Sequence, residues 1–208
     1  MEILQIRLNK MAVFCYLIGD ESSRTGALID PAFETGRILA VVKEKGYRIT
    51  HVINTHCHSD HTAGNAAIIA ATKAKLLIHE LDSENLMKML NRSFTRILGG
   101  KASPRPDVLL KDNDVITIGS TVLDVIHTPG HTPGGICLLA ENNIFTGDTL
   151  FVGAVGRTDL PGGSYKQLSR AIREKIYTLP EETIIWPGHD YGITPASTVA
   201  REKKDNPQ

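Results

Sequence analysis

Apolar positions along the chain change their spacing several times, and each change marks a predicted element. Ile3 to Leu8 alternates, Ala12 to Ile18 is rich in β-favouring residues, and Asn9-Lys10 separates the two as a turn. A third short strand is predicted over Gly26 to Asp30 and closed by Pro31, so the chain opens as antiparallel β-structure. Ile38, Val41 and Val42 then form a helical stripe within Arg37 to Lys45, ended by Gly46. A strand over Ile49 to Asn54 leads into a polar loop from Thr55 to His61. After it come a small-residue helix over Gly64 to Thr72, a strand over Leu76 to Ile78 and a helix from about Asp82. Asn91 to Pro106 has the least pattern and carries Gly99-Gly100, Pro104 and Pro106; it reads either as a linker or as a mobile loop covering a site.

The second half repeats this outline. Strands are predicted near Val115 to Ile118, Thr121 to His127, Gly135 to Leu139 and Asn143 to Thr146. A Gly-rich loop fills Gly147 to Gly163, a helix runs from Ser164 to Thr178, a strand covers Thr183 to Trp186, and a last helix follows Pro195. No solenoid period is visible. Two β-rich halves with interspersed helices pack as two facing sheets with helices outside. The expected fold is α/β, a four-layer αββα sandwich, as a single domain over residues 1–208.

Composition changes this picture only by exclusion. With 208 residues, 41% of them hydrophobic and 22% charged, the chain can bury a core, and intrinsic disorder is excluded. The 23 basic and 23 acidic side chains cancel, leaving no basic footprint for nucleic acid or an anionic membrane. The apolar run Ala12 to Ile18 is too short to span a bilayer, and Met1-Glu2-Ile3 lacks the layout of a signal peptide. Cys15, Cys57 and Cys137 are scattered and odd in number, which fits a reducing compartment. A cytoplasmic location and a small-molecule substrate are the expectation.

The chemistry concentrates in His56-Cys57-His58-Ser59-Asp60-His61, directly after a strand. In extended backbone His56 and His58 point the same way and can share one ion. Asp60 and His61, where the chain bends into a helix, can reach a second. Imidazole nitrogen with carboxylate oxygen suits zinc, iron or manganese, whereas calcium prefers oxygen alone. By the same alternation Cys57 points away and is expected to be buried rather than to act as ligand or nucleophile. His131, in a Pro- and Gly-rich stretch from His127 to Gly135, Asp148 after a strand, and His189 after Trp186-Pro-Gly each repeat the strand-to-loop placement. Asp148 is placed where a carboxylate could bridge two ions. Each alone is as well read as a turn former, but four such clusters are what a site along one sheet edge requires. His51, His79 and His127 stay outside the metal set, with His127 as a support for the loop of His131. Asp30 is either an acceptor for a ligand imidazole N–H or a turn cap. Arg157 and Tyr191, in loops beside candidate ligands, are candidate substrate contacts; an Arg157–Asp159 pair and a packed aromatic ring are the alternatives.

Together, His56-x-His58-x-Asp60-His61 with His131, Asp148 and His189 resembles the metallo-β-lactamase superfamily over essentially the whole chain. Gly147-Asp148-Thr-Leu-Phe, Gly156-Arg157-Thr-Asp-Leu-Pro-Gly-Gly and the His127 to Gly135 stretch are similar to its hydroxyacylglutathione hydrolase (glyoxalase II-like) branch. That resemblance implies an αββα fold and two divalent metal ions, zinc by preference and iron or manganese as options. His56, His58 and His131 would hold one ion, Asp60, His61 and His189 the other, with Asp148 bridging. It further implies hydrolysis of a thioester or ester by a metal-bound hydroxide, with Asp60 orienting the nucleophile. The further C-terminal helical region with which full-length glyoxalase II enzymes hold glutathione has no counterpart in this sequence. Asn54-Thr-His56-Cys57-His58 and the tail Thr194 to Pro207 also look like the persulfide dioxygenases of the same fold. For these the implied centre is a single iron on His56, His131 and Asp148, acting on a glutathione persulfide-like substrate.

Overall fold

Side-chain alternation divides each central strand between two cores. In β2 (Phe14–Asp20), Phe14, Tyr16 and Ile18 point to one side and Cys15 and Leu17 to the other, all of them buried. The computed structural model describes residues 1–208, except for the side chains of residues 89 and 90. β2 belongs to a six-stranded sheet with β1 (Glu2–Arg7), β3 (Thr25–Ile29), β4 (Arg48–Ile53), β5 (Lys75–His79) and β6 (Val108–Leu110), in sequential order. β1 to β3 pair antiparallel, and β3 to β6 pair parallel.

The second sheet contains β7 (Val115–Ile118), β8 (Thr121–His127), β9 (Ile136–Ala140) and β10 (Asn143–Gly147). A separate hairpin, β11 (Leu150–Phe151) and β12 (Ala154–Val155), follows, and β13 (Ile184–Pro187) and β14 (Ser197–Thr198) then rejoin the sheet. Its order is β14-β13-β10-β9-β8-β7, with only β10 and β13 parallel.

Three apolar clusters account for four layers. The middle one, with Tyr16, Ile29, Ile53, Leu77, Leu123, Leu138 and Phe145, lies between the sheets. The outer face of the first sheet packs Leu17, Leu28, Val52 and Leu76 against Ile38 and Val42 of α1 (Thr35–Lys45), Ile68 of α3 (Asn65–Thr72) and Leu86 of α4 (Glu80–Met87). The outer face of the second packs Cys137, Ile144 and Ile185 against Leu168 of α6 (Tyr165–Ala171) and Val199 of α7 (Val199–Asp205). Each large side chain so buried contributes about 1.5–3 kcal/mol. This is the expected αββα sandwich.

Three local expectations differ from the structure. Asn91 to Pro106 begins inside a helix, α5 (Met89–Ile97), and becomes irregular only after it. Asn91 anchors that helix by donating its amide to Cys57 O (2.7 Å), a tertiary contact that no periodicity reveals. β6 and the β11–β12 hairpin are three- and two-residue strands, too short for alternation to mark. The predicted helix to Thr178 is α6 followed by one wider turn over Ile172–Ile176.

Strand direction fixes where chemistry can occur. β3 and β4 run parallel, and β8, β10 and β13 share one direction, so the loops leaving these five strands meet at one end of the sandwich. Ile136 N–H donates to Thr55 O (2.9 Å) and Phe14 N–H to Gly188 O (2.8 Å), tying the two sheets together at that end.

At the opposite end, Asp20 accepts hydrogen bonds from Ser120 (2.6 Å), Ser22 (2.8 Å) and both the hydroxyl and backbone N–H of Ser23 (2.6 and 2.8 Å). These bonds, with Ser120 foremost, hold its carboxyl well below the ordinary 3.8. A depressed folded-state pKa gives stability that is complete above the unfolded value and is lost as pH falls through the folded one. Asp20→Asn is therefore expected to lower Tm at neutral pH, with the gap to wild type narrowing between about pH 4 and about pH 2. Thermal melts across that range check it.

Candidate metal centre

Five strand ends deliver the polar side chains. β3 ends at Asp30; β4 leads to His56, His58 and α2 (Ser59–Thr62), which carries Asp60 and His61. β8 leads to His131, β10 to Asp148 and β13 to His189. All seven residues predicted as metal ligands converge. His56, His58 and His131 offer atoms within 4.8 Å of one another, and so do Asp60, His61 and His189. Asp148 stands between the two triads. Its Oδ2 is 3.4 Å from His131 Nε2, and its Oδ1 is 3.3 Å from His61 Nε2 and 3.5 Å from His189 Nε2. Gly188 makes this approach possible, since a Cβ there would lie 2.6 Å from Asp148 Oδ1.

Hydrogen bonds behind the rings select which nitrogen faces inward. His131 Nδ1 donates to Arg157 O (2.7 Å) and His189 Nδ1 to Met11 O (2.9 Å), leaving both Nε2 lone pairs free. His61 Nδ1 donates to Asp30 Oδ2 (3.0 Å). The Thr55 hydroxyl also donates to Asp30 (2.6 Å) and so accepts from His56 Nδ1 (3.1 Å). His58 turns the other nitrogen inward, its Nδ1 lying 2.9 Å from His131 Nε2. A backing acceptor of this kind fixes the tautomer of a metal-binding imidazole. Asp30, His56 and His61 also cluster within 4.8 Å. Asp30, however, takes up the Nδ1 side of His61 and reaches His56 through Thr55. It is a support behind the rings and not a third ion site.

The electrostatics suit a cation. His56 Nε2 and Asp148 Oδ1 are buried without a hydrogen-bond partner, an arrangement that costs stability unless something else satisfies them. Burial, then the neighbouring His61, pushes His56 well below its ordinary value, and burial with His131 takes His58 down to about 4. Both are neutral near pH 7, as ligands must be. Burial disfavours charge on His61, but Asp148, Asp30 and Asp60 together raise it well above its ordinary value. Burial likewise works against the Asp148 carboxylate, yet His61 and His189 hold its pKa well down. Imidazole nitrogens facing carboxylate oxygens, with two inward atoms unpartnered, fit divalent ions with nitrogen and oxygen preference.

The remaining predicted residues are placed less centrally. Arg157 pairs with Asp159 at the exposed surface (2.8 and 2.7 Å), and its carbonyl backs His131. The Tyr191 ring is stacked on His189 with centroids 4.5 Å apart and is 59% exposed at the rim. Beside it a cavity of about 340 Å³ is lined by Val152, Tyr191, Ile193 and Arg201. Cys57 is buried in the apolar core, as alternation predicts. His127 braces its loop through Nε2 and Pro133 O (2.8 Å). Sequence reasoning missed Asp82, whose signal is tertiary.

The pattern defining the metallo-beta-lactamase superfamily matches residues 8–189, and the chain belongs to that superfamily. It is 36% identical to the human mitochondrial persulfide dioxygenase ETHE1 over 94% of this chain and 70% of that protein. It is 40% identical to a hydroxyacylglutathione hydrolase of Polaromonas over 88% of this chain and 64% of the other. Among solved structures, TTHA1623 in a di-iron-bound form superposes with a TM-score of 0.82 at 30% identity, covering 98% of both chains. The chain is thus an enzyme of this superfamily with a metal-binding architecture. Among the described residues, no helix is long and apolar enough to cross a membrane.

Proposed function

We propose that the protein is a dinuclear metallo-hydrolase of small thioesters, similar in chemistry to the hydroxyacylglutathione hydrolases. The observation that carries this reading is Asp148, with one oxygen toward His131 and the other toward His61 and His189. His56, His58 and His131 would hold one ion and Asp60, His61 and His189 the other, zinc, iron or manganese all being compatible with this donor set. Bound ions supply Lewis acidity and lower the pKa of water from 15.7 toward ~7.

The residues of the chain perform the rest. Asp60, 18% exposed by its side chain and 3.6 Å from His189 Nε2, can accept a hydrogen bond from the attacking water and so orient it. Buried His56 and His61 exclude bulk water from the inner side. A thiolate leaves readily, so no strong general acid is required. Tyr191 at the rim and Arg157 in the adjoining loop are the proposed contacts for the substrate's polar tail.

A second reading rests on the dioxygenase relative. His56, His131 and Asp148 would then hold one iron, and a persulfide would be oxidised by dioxygen. A purified, metal-loaded protein assayed with hydroxyacylglutathione and glutathione persulfide separates the two. Thioester hydrolysis with two ions per chain is expected; one iron per chain with oxygen uptake on persulfide would replace the first reading by the second.

A further inference from the structure

Asp82, in the first turn of α4, is fully buried and joins two loops that approach the centre from different sheets. Its Oδ2 accepts from the Cys57 backbone N–H (2.8 Å) and the Thr132 hydroxyl (2.8 Å), and its Oδ1 accepts from the Gly134 N–H (2.8 Å). Cys57 lies between His56 and His58, and Thr132 follows His131. Each of the three imidazoles of one triad is therefore one residue from a group that this carboxylate grips. Gly134 permits the contact: a Cβ there would lie 2.6 Å from Asp82 N and 2.8 Å from its Cγ. Three donors meet two oxygens, a set that only a carboxylate can accept in full. An amide would turn its own N–H toward one of the donors.

We propose that Asp82 is a positioning residue that sets the separation of the His56–His58 segment from the His131 segment and thereby the affinity for the ion they share. The inference rests on the metal reading alone and holds for both reactions above, because His56 and His131 are candidate ligands in each. Asp30 does the corresponding work on the other side, backing His61 and, through Thr55, His56.

The test is a Co²⁺ titration of the metal-free full chain, following the visible absorption of imidazole-coordinated cobalt, with Tm of the metal-free protein measured alongside. Asp82→Asn is expected to weaken cobalt binding about 10- to 100-fold. Thr132→Val, which removes one of the three hydrogen bonds, is expected to weaken it roughly three- to tenfold. Thr132→Ser should return it to within about twofold of wild type, since the hydroxyl is restored. Asp20→Asn, which breaks a comparable carboxylate cluster at the far end of the sheets, should lower Tm and leave cobalt affinity unchanged. The proposal is overturned if Thr132→Val binds cobalt like wild type, or if Asp20→Asn loses as much affinity as Asp82→Asn. Should Asp82→Asn not fold, the Thr132 pair decides. Failure of the hydrolase reading would appear in the substrate panel and not in this titration.

Discussion

Asp148→Ala is expected to lose both bound metal and turnover. Its carboxylate faces both triads, at 3.4 Å from His131 and 3.3 Å from His61. Removing it separates the candidate ion sites and takes away one of the three carboxylates, with Asp30 and Asp60, that raise His61 above its ordinary value. A Lewis-acid contribution of several kcal/mol disappears with the ions, and at 1.36 kcal/mol per decade the rate should fall ~10³-fold or more. Elemental analysis together with thioesterase assays at saturating substrate checks it. Retained full activity would remove Asp148 from the centre.

The second large effect is at Asp30, a buried carboxylate that accepts from Thr55 N–H (2.8 Å), the Thr55 hydroxyl (2.6 Å) and His61 Nδ1 (3.0 Å). Asp30→Ala strands these buried donors and is expected to cost about 3–5 kcal/mol, lowering Tm by ~10–15 °C. Asp30→Asn discriminates further. Its amide oxygen can keep Thr55 N–H, but its NH₂ then faces His61 Nδ1 and favours the tautomer with the proton on Nε2, the nitrogen aimed at His189 and Asp148. Metal affinity should therefore drop about 10- to 100-fold while Tm falls less than in Asp30→Ala. Calorimetric melts and chelator competition on both variants measure the two effects separately. Equal metal affinity in Asp30→Asn and wild type would show that the tautomer is fixed elsewhere.

Much of this centre is legible in the sequence because it is built from short-range rules. Period-two alternation alone puts His56 and His58 on one side and Cys57 on the other, and the structure has them so. His131, Asp148 and His189 are legible because each follows a recognisable strand. The sandwich follows from two β-rich halves whose strands carry apolar residues on both faces. What is not legible depends on distance in the chain. Asp82 shows no local pattern, and its role arises because α4 brings it to residues 25 and 50 positions away. Asn91, inside helix α5, likewise reaches Cys57 across 34 positions. The backing of His131 by Arg157 runs through a carbonyl, which every residue has, so no side-chain type announces it. Residue type alone does not place Arg157: its guanidinium lies against Asp159 at the surface.

Anomalous scattering from a metal-loaded crystal locates the bound ions. Two peaks per chain are expected, one among His56, His58 and His131 and one among Asp60, His61 and His189, with the Asp148 carboxylate between them. A single peak on His56, His131 and Asp148, or a metal bound away from these side chains, would contradict it.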